Sequence, residues 1–400
     1  MTLASWFPDP GSSSQRPGLS PVMRLLTLWM VGLGSIGLAP FTEPSVRGED
    51  LRWNQIQVIG SHNSYHVEPS RAVRDLIAAA GEDRTQGLEY SHPPLAEQFS
   101  ERGIRQVELD VFHDPVGGLY VDPGALRTLR TLGRDPGPGP GPDPDADARL
   151  RRPGLKVLHV PDVDFRTTAT TLVDALTQIR RWSGAHPRHV PIFILLELKD
   201  EGVPGMPTRP HKFDRRALES LEAEIRSVFR PEEIITPASV RGDAPSLARA
   251  VRERGWPRLD DVRGKVAFAL DNEDSKRDLY LSLHPGLDGQ LLFASVPESH
   301  PQAAWFKIND SVADFDRIRR LVREGFLVRT RADSDTRQAR ANDPTQRDRA
   351  LSSGAQFVST DYPVPDRRFS AYCVQFPGRI VARSNPVSGA RDRDGVDLER

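Results

Sequence analysis

Residues 57–67, QVIGSHNSYHV, set a strand-like run, 57–60, directly against a polar turn that carries His62 and Asn63. Strict strand alternation would send those two side chains to opposite faces. Gly60 and the serines after it let the backbone leave the strand there, so that imidazole and amide reach one place. What that place is depends on the ends of the other strands.

Apolar, β-branched runs recur at 56–60, 104–111, 155–160, 190–198, 265–270, 291–296, 326–330 and 357–360. Amphipathic stretches lie between them. Leu172, Leu176 and Ile179 follow a Thr171 cap; Leu218, Leu221, Ile225 and Val228 share a face; Val312, Phe315, Ile318 and Val322 follow Ser311 and stop at Gly325. Asp343–Pro344 starts a further helix that Gly354 ends. Eight strands interleaved with helices predict an α/β fold, a closed TIM-type (β/α)8 barrel with its active site at the C-terminal ends of the strands.

The chain has 400 residues, enough for a barrel of about 250 residues and more. Lys+Arg 54 against Asp+Glu 55 gives a net charge of -1, which argues against nucleic acid as a partner. From Leu25 to Ala39 the chain is apolar apart from Thr27 and Ser35, follows Arg24 and precedes Pro40. That is the length and polarity of a signal-peptide core, so we expect an exported protein, secreted or periplasmic, with Met23 as an alternative start. Cys373 is the sole cysteine and excludes intrachain disulfides. We read 1–48 as an N-terminal extension with signal peptide, 49–378 as one catalytic barrel and 379–400 as a polar tail. The Pro/Gly-rich stretch 133–154 reads as a surface excursion that does not pack.

Nearly every strand stops at an ionisable group: QVELDVFHD, LKVLHVPDVDF, PIFILLELKD, VAFALDNED, FLVRTRADSD, FVSTDYP. Glu108 and Asp110 are two apart and leave one face of their strand, as do Glu197 and Lys199. Three carboxylates inside an apolar barrel need a cation, because desolvation and mutual repulsion both oppose their ionisation. With the amide oxygen of Asn63 they form a set of hard oxygen donors, which suits Ca2+ and, less well, Mg2+. His62 and His159 flank the proposed ion and can divide general base and general acid work, with Lys199 adding positive charge toward a phosphorane. Taken singly, each signal has a plainer account: a hydrogen-bonded turn histidine, solvated acids on an edge strand, a surface Lys199–Asp200 pair.

Taken in order, SHNSY, GIRQVELDV, KVLHV with the Thr-capped TLVDALTQIRRW, PIFILLELKD and LDDVRGKVAFALDN resemble the calcium-dependent phosphatidylinositol-specific phospholipase C family, in its secreted microbial branch. The resemblance spans about residues 53–365. It implies a phosphoric diester hydrolase that cleaves phosphatidylinositol to diacylglycerol and a cyclic or linear inositol phosphate. His62 and His159 match its catalytic histidines; Asn63, Glu108, Asp110 and Glu197 match its metal ligands. Metal-independent relatives carry Arg where Asp110 stands, so the acid implies a metal enzyme. His159 is then the acid toward the leaving alkoxide, and His62 the base or a donor to the phosphorane, with Glu108 an alternative base. Arg331 resembles a basic residue near the head group, although Asp333 or Asp335 could equally well pair with it. Transient contact with a membrane surface follows from the substrate, yet no basic or aromatic amphipathic helix announces it.

Two rivals remain. A glycerophosphodiester phosphodiesterase shares the barrel but is expected to carry HRG where this chain has SHN. A catalytically inactive secreted ligand-binding barrel is of another class; the presence of both histidines and all four expected ligands argues against it.

Overall fold

The computed structural model describes residues 51–79, 83–141, 145–390 and 395–400. The expected signal peptide and most of the N-terminal extension lie outside them. Eleven strands form one sheet: β1 (Ile56–Ser61), β2 (Ile104–Asp114), β3 (Gly154–Val157), β4 (Ile192–Lys199), β5 (Ile234–Ile235), β6 (Val266–Leu270), β7 (Leu292–Ala294), β8 (Trp305–Asp310), β9 (Leu327–Arg331), β10 (Phe357–Thr360) and β11 (Ala382–Ser384). Parallel ladders run in the order β7-β6-β4-β2-β1-β10-β9-β8, with helices between, and curl into a TIM-barrel-like α/β fold.

Three features differ from the expected barrel. No ladder joins β7 to β8 among the described residues, so the sheet is open along one seam instead of closed. The run expected as the third barrel strand is β3, which pairs antiparallel with the end of β2 and makes a hairpin above the barrel. The place of an eighth barrel strand is taken by β8, WFKIND, where Lys307 and Asn309 interrupt the apolar pattern that would reveal it.

The N-terminal end of the barrel is filled with rings. Phe193 stacks on Phe357 with centroids 4.6 Å apart, and the edges of Trp53 and Trp305 meet it at 6.0 and 5.5 Å. Each such ring contributes about 2–3 kcal/mol by leaving water. Aromatic packing at one end leaves the polar layer to the other.

The helices follow their caps. Thr171 accepts from the backbone N–H of Asp174 and starts Leu172–Ala185, burying Leu172, Leu176 and Ile179; Asp214 does the same for Arg215–Val228. Thr345–Ser353 ends at Gly354, whose φ of 86° suits glycine. The helix expected from Ser311 begins later, at Phe315: Asp310 accepts from the N–H groups of Val312 and Ala313 in a turn, and Val312 is exposed.

Two regions expected to be loose do pack. Within the excursion, Leu150 is buried with Phe112, Tyr120 and Leu158. In the expected polar tail, β11 pairs antiparallel with β1, and Leu398 is buried.

Candidate active site

β1 ends at Ser61, and the backbone turns at once: Asn63 has φ of 43°, a left-handed conformation that asparagine tolerates. The His62 N–H donates to the Thr360 carbonyl, and the His66 N–H closes the turn on the Asn63 carbonyl. This turn lets His62 and Asn63 escape the alternation of the strand. Gly60 stands just before it, where a Cβ would collide with the side chain of Gln106.

His62 donates Nδ1–H to Asp361 Oδ1 at 2.8 Å, so its other nitrogen carries a lone pair. That Nε2 faces Nη1 of Arg331 at 3.3 Å and Oε1 of Glu108 at 3.7 Å. Burial first, then Arg331, lower its pKa to about 3 against the opposing pull of Asp361. Arg331 completes the pair with Asp361, Nη2 to Oδ2 at 2.9 Å, rather than bonding Asp333 or Asp335.

Glu108 and Asp110 leave the same face of β2, and ladder register sets Asp110 beside Glu197 on β4. Carboxylate oxygens of Glu108, Glu197 and Asp271 come within 4.8 Å of one another. Asp271, just past β6, was not among the expected ligands. Lys199 bridges Asp110 and Glu197, Nζ lying 3.3 Å from Asp110 Oδ2 and 3.5 Å from Glu197 Oε1, and Asp200 pairs elsewhere, with Lys212 and Lys276. Arg329 donates to Glu108 Oε2 at 2.6 Å, and Lys307 to Asp271 at 2.7 Å. Burial pushes Glu108 up to about 7 despite Arg329, and raises Asp110 well above the carboxylate range despite Lys199. Asp271 is held below its usual range because Lys307 and Arg329 outweigh its burial.

His159, just past β3, stands in a second group. Its Nδ1 donates to Asp164 Oδ2 at 2.6 Å, leaving Nε2 for other work, and His66 Nε2 lies 3.0 Å from both oxygens of Asp164. Burial lowers the His159 pKa against the pull of Asp164. A row of rings connects the groups: His62 to Tyr90 at 6.4 Å, Tyr90 to His66 at 4.3 Å, His66 to His159 at 5.9 Å. The amide of Asn63 donates to the Tyr90 hydroxyl at 3.2 Å, while its Oδ1 is buried without a partner.

The structure thus gathers His62, Glu108, Asp110, Glu197, Lys199 and Arg331 in one group and His159 in another, with the Asn63 amide on the Tyr90 hydroxyl between them. It adds Asp361, Asp271, Lys307, Arg329, Asp164 and His66. Asp271, Asp361 and Asp164 were visible as acids at strand ends, but nothing in the sequence ranks them. Tyr90 has no strand or motif signal.

The oxygens of Glu108, Glu197 and Asp271, within 4.8 Å of one another, are a hard-donor set that fits a calcium ion, with Asp110 beside Glu197 and the buried Asn63 Oδ1 left without a partner. Residues 51–386 match the family model for phosphoinositide phospholipase C, Ca2+-dependent. The chain belongs to this family. It is accordingly a phosphodiesterase of the calcium-dependent, phosphoinositide-specific phospholipase C type. Among solved structures, the apo calcium-dependent phosphoinositol-specific phospholipase C of a Gram-negative Pseudomonas sp. is similar in fold: TM-score 0.51, 16% identity, 86% of this chain and 98% of that one. The Ca2+-dependent phosphatidylinositol-specific phospholipase C of Streptomyces antibioticus aligns with TM-score 0.49 and 15% identity over 78% of this chain and 95% of that one. No curated protein matches the chain in sequence. No helix of the described residues is long and apolar enough to cross a membrane.

Proposed function

We propose that the chain cleaves phosphatidylinositol by in-line attack of the inositol 2-hydroxyl on phosphorus, with His62 as general base and His159 as general acid. The observation that carries this reading is the opposite wiring of the two imidazoles to the same end. Each gives Nδ1–H to a buried carboxylate, Asp361 or Asp164, and so keeps Nε2 for the substrate.

In the forward step the inositol oxygen bonds to phosphorus and its proton passes to Nε2 of neutral His62. The phosphorus–glycerol oxygen bond breaks, and that oxygen takes the Nε2 proton of His159 in its imidazolium form. The products are a cyclic inositol phosphate and diacylglycerol; with the protons now exchanged, water can open the ring by the reverse roles. Burial works against the His159 imidazolium and the Asp164 carboxylate supports it, while the low pKa of His62 rises once an anionic phosphodiester sits beside Arg331.

Calcium held by Asn63, Glu108, Asp110 and Glu197 would supply positive charge for the phosphodiester and the developing phosphorane. Arg331 keeps the His62–Asp361 pair in register and faces the incoming phosphate. Lys199 balances Asp110 and Glu197 and adds positive charge beside the phosphate site. Glu108 fits the base role less well than His62, since Arg329 already holds one of its oxygens.

Export is part of the proposal and rests on the apolar stretch 25–39; brief contact with a membrane surface follows from a lipid substrate. Turnover of phosphatidylinositol vesicles, with and without a chelator and followed by calcium or magnesium add-back, tests substrate and ion together. Cyclic inositol phosphate lost on chelation and restored by calcium is the expected result. Glycerol 3-phosphate would instead identify a glycerophosphodiesterase, and turnover indifferent to the chelator would remove the ion from the scheme.

A further inference from the structure

His66 lies beyond the residues that touch substrate in this scheme, yet it is the most constrained imidazole in the molecule's polar layer. It is fully buried, stacked on Tyr90 at 4.3 Å, and both of its ring nitrogens face acceptors. Nδ1 lies 3.1 Å from the Tyr90 carbonyl and Nε2 lies 3.0 Å from each oxygen of Asp164. A carbonyl and a carboxylate both accept hydrogen bonds, so whichever nitrogen carries a proton has a partner in place.

Asp164 is equally enclosed. Its backbone is pinned to Val160 by two hydrogen bonds of 2.9 Å, which folds the 160–164 loop back toward His159. One oxygen serves His159 as well as His66, and the other is satisfied by His66. A buried carboxylate with one oxygen unpaired would be free to rotate or to take up a proton, and in either case would lose its grip on the His159 ring. Asp164 is in fact held below the ordinary carboxylate range, because His66 and His159 outweigh a burial that works the other way.

We propose that His66, held between the Tyr90 carbonyl and Asp164, is a positioning residue: it fixes the carboxylate that aims His159 Nε2 at the leaving oxygen. The proposal rests on the acid role of His159 given above. The clamp runs from the turn after β1, through the loop after β3, to the proton donor. Base and acid are thereby ordered by a single five-residue stretch, since His62 and His66 belong to the same turn.

The test compares two substrates in His66→Phe, which keeps an aromatic ring and removes its hydrogen bonds, and in His159→Ala. One is phosphatidylinositol, whose alkoxide leaving group needs a proton. The other is an inositol phosphodiester with a nitrophenolate leaving group, which does not. With His159→Ala, a large loss on the first substrate and a small one on the second identifies the acid; equal losses would end the acid reading. With His66→Phe we expect kcat on phosphatidylinositol to fall at least about 10-fold with KM nearly unchanged, and the activated substrate to lose much less. Equal losses on both substrates, or a change confined to KM, with His159→Ala behaving as expected, would overturn the role of His66 alone.

Should His66→Phe fail to fold, histidine-selective 15N spectra of the unaltered protein decide the matter without any substrate. An Nε2–H at His66 hydrogen-bonded to the Asp164 carboxylate is expected. An Nε2 without a proton would refute the clamp.

Discussion

Asp361 decides which nitrogen of His62 is available, and its own carboxylate stays ionised because His62 and Arg331 outweigh its burial. Replacing it by Asn keeps an acceptor for Nδ1–H but removes the charge that balances Arg331 and supports the imidazolium formed during attack. Asp361→Asn is therefore expected to lower kcat by about 10²-fold or more at unchanged fold, measured by steady-state turnover with a circular dichroism control. The acids around Lys199 make a different prediction. Binding to the native state stabilises it by an amount that grows with the logarithm of the ligand's excess over its Kd, so calcium should stabilise the parent protein against heat. Glu197→Gln should melt at a temperature insensitive to calcium while still folding; an unchanged calcium shift would take Glu197 out of the ligand set. His62, Asn63, Glu108, Asp110, Glu197 and His159 were legible because each sits at or just past a strand end in an ordered set of motifs. His66 and Asp164 lie in the same quoted stretches, yet only spatial neighbours reveal what they do.

The β2–β3 hairpin carries His159 to the site, and the helix Arg215–Val228 braces it through one carboxylate. Glu224 Oε1 accepts the Leu155 N–H at 2.8 Å. Burial pushes its carboxyl from 4.5 up to about 7, with the Leu155 N–H and Lys156 pulling the other way. The unfolded chain releases this proton near pH 4.5 and the folded one near 7, so the folded state binds more protons in between. The group's contribution accordingly falls as pH rises from about 4.5 to about 7 and is level above that. Glu224→Gln removes this term: denaturant midpoints of the two proteins should agree near pH 4.5 and favour the variant at pH 8. Hairpin and brace also explain the misread element, since a four-residue apolar run looks the same whether its partner is parallel or antiparallel. β8 was hidden for the opposite reason: Lys307 and Asn309, two of its six residues, serve the site and not the core.

The molecule is closed at its base by the last residues of the chain. Arg105, at the start of β2 and 2% exposed, forms a two-nitrogen pair with Glu399, whose Oε2 also accepts the Val190 N–H, while the guanidinium lies 4.5 Å from the Trp182 ring. Removing one partner of a buried pair leaves a charge without compensation. Glu399→Ala should cost about 3 kcal/mol in chemical denaturation, far more than an average surface substitution, and should leave turnover of the remaining folded protein intact. That outcome would be surprising for a polar tail and is expected for a clasp. Most strand and helix positions, the Thr171 cap and the excess of acids at strand ends were determined by the sequence itself, because each depends on residues close together along the chain. Tertiary structure alone decided the open seam, the antiparallel β3, the place of Asp271 beside Glu108 and Glu197, and the His66–Asp164–His159 chain. Those depend on register between segments distant in sequence, and one residue of slip would turn every side chain to the opposite face.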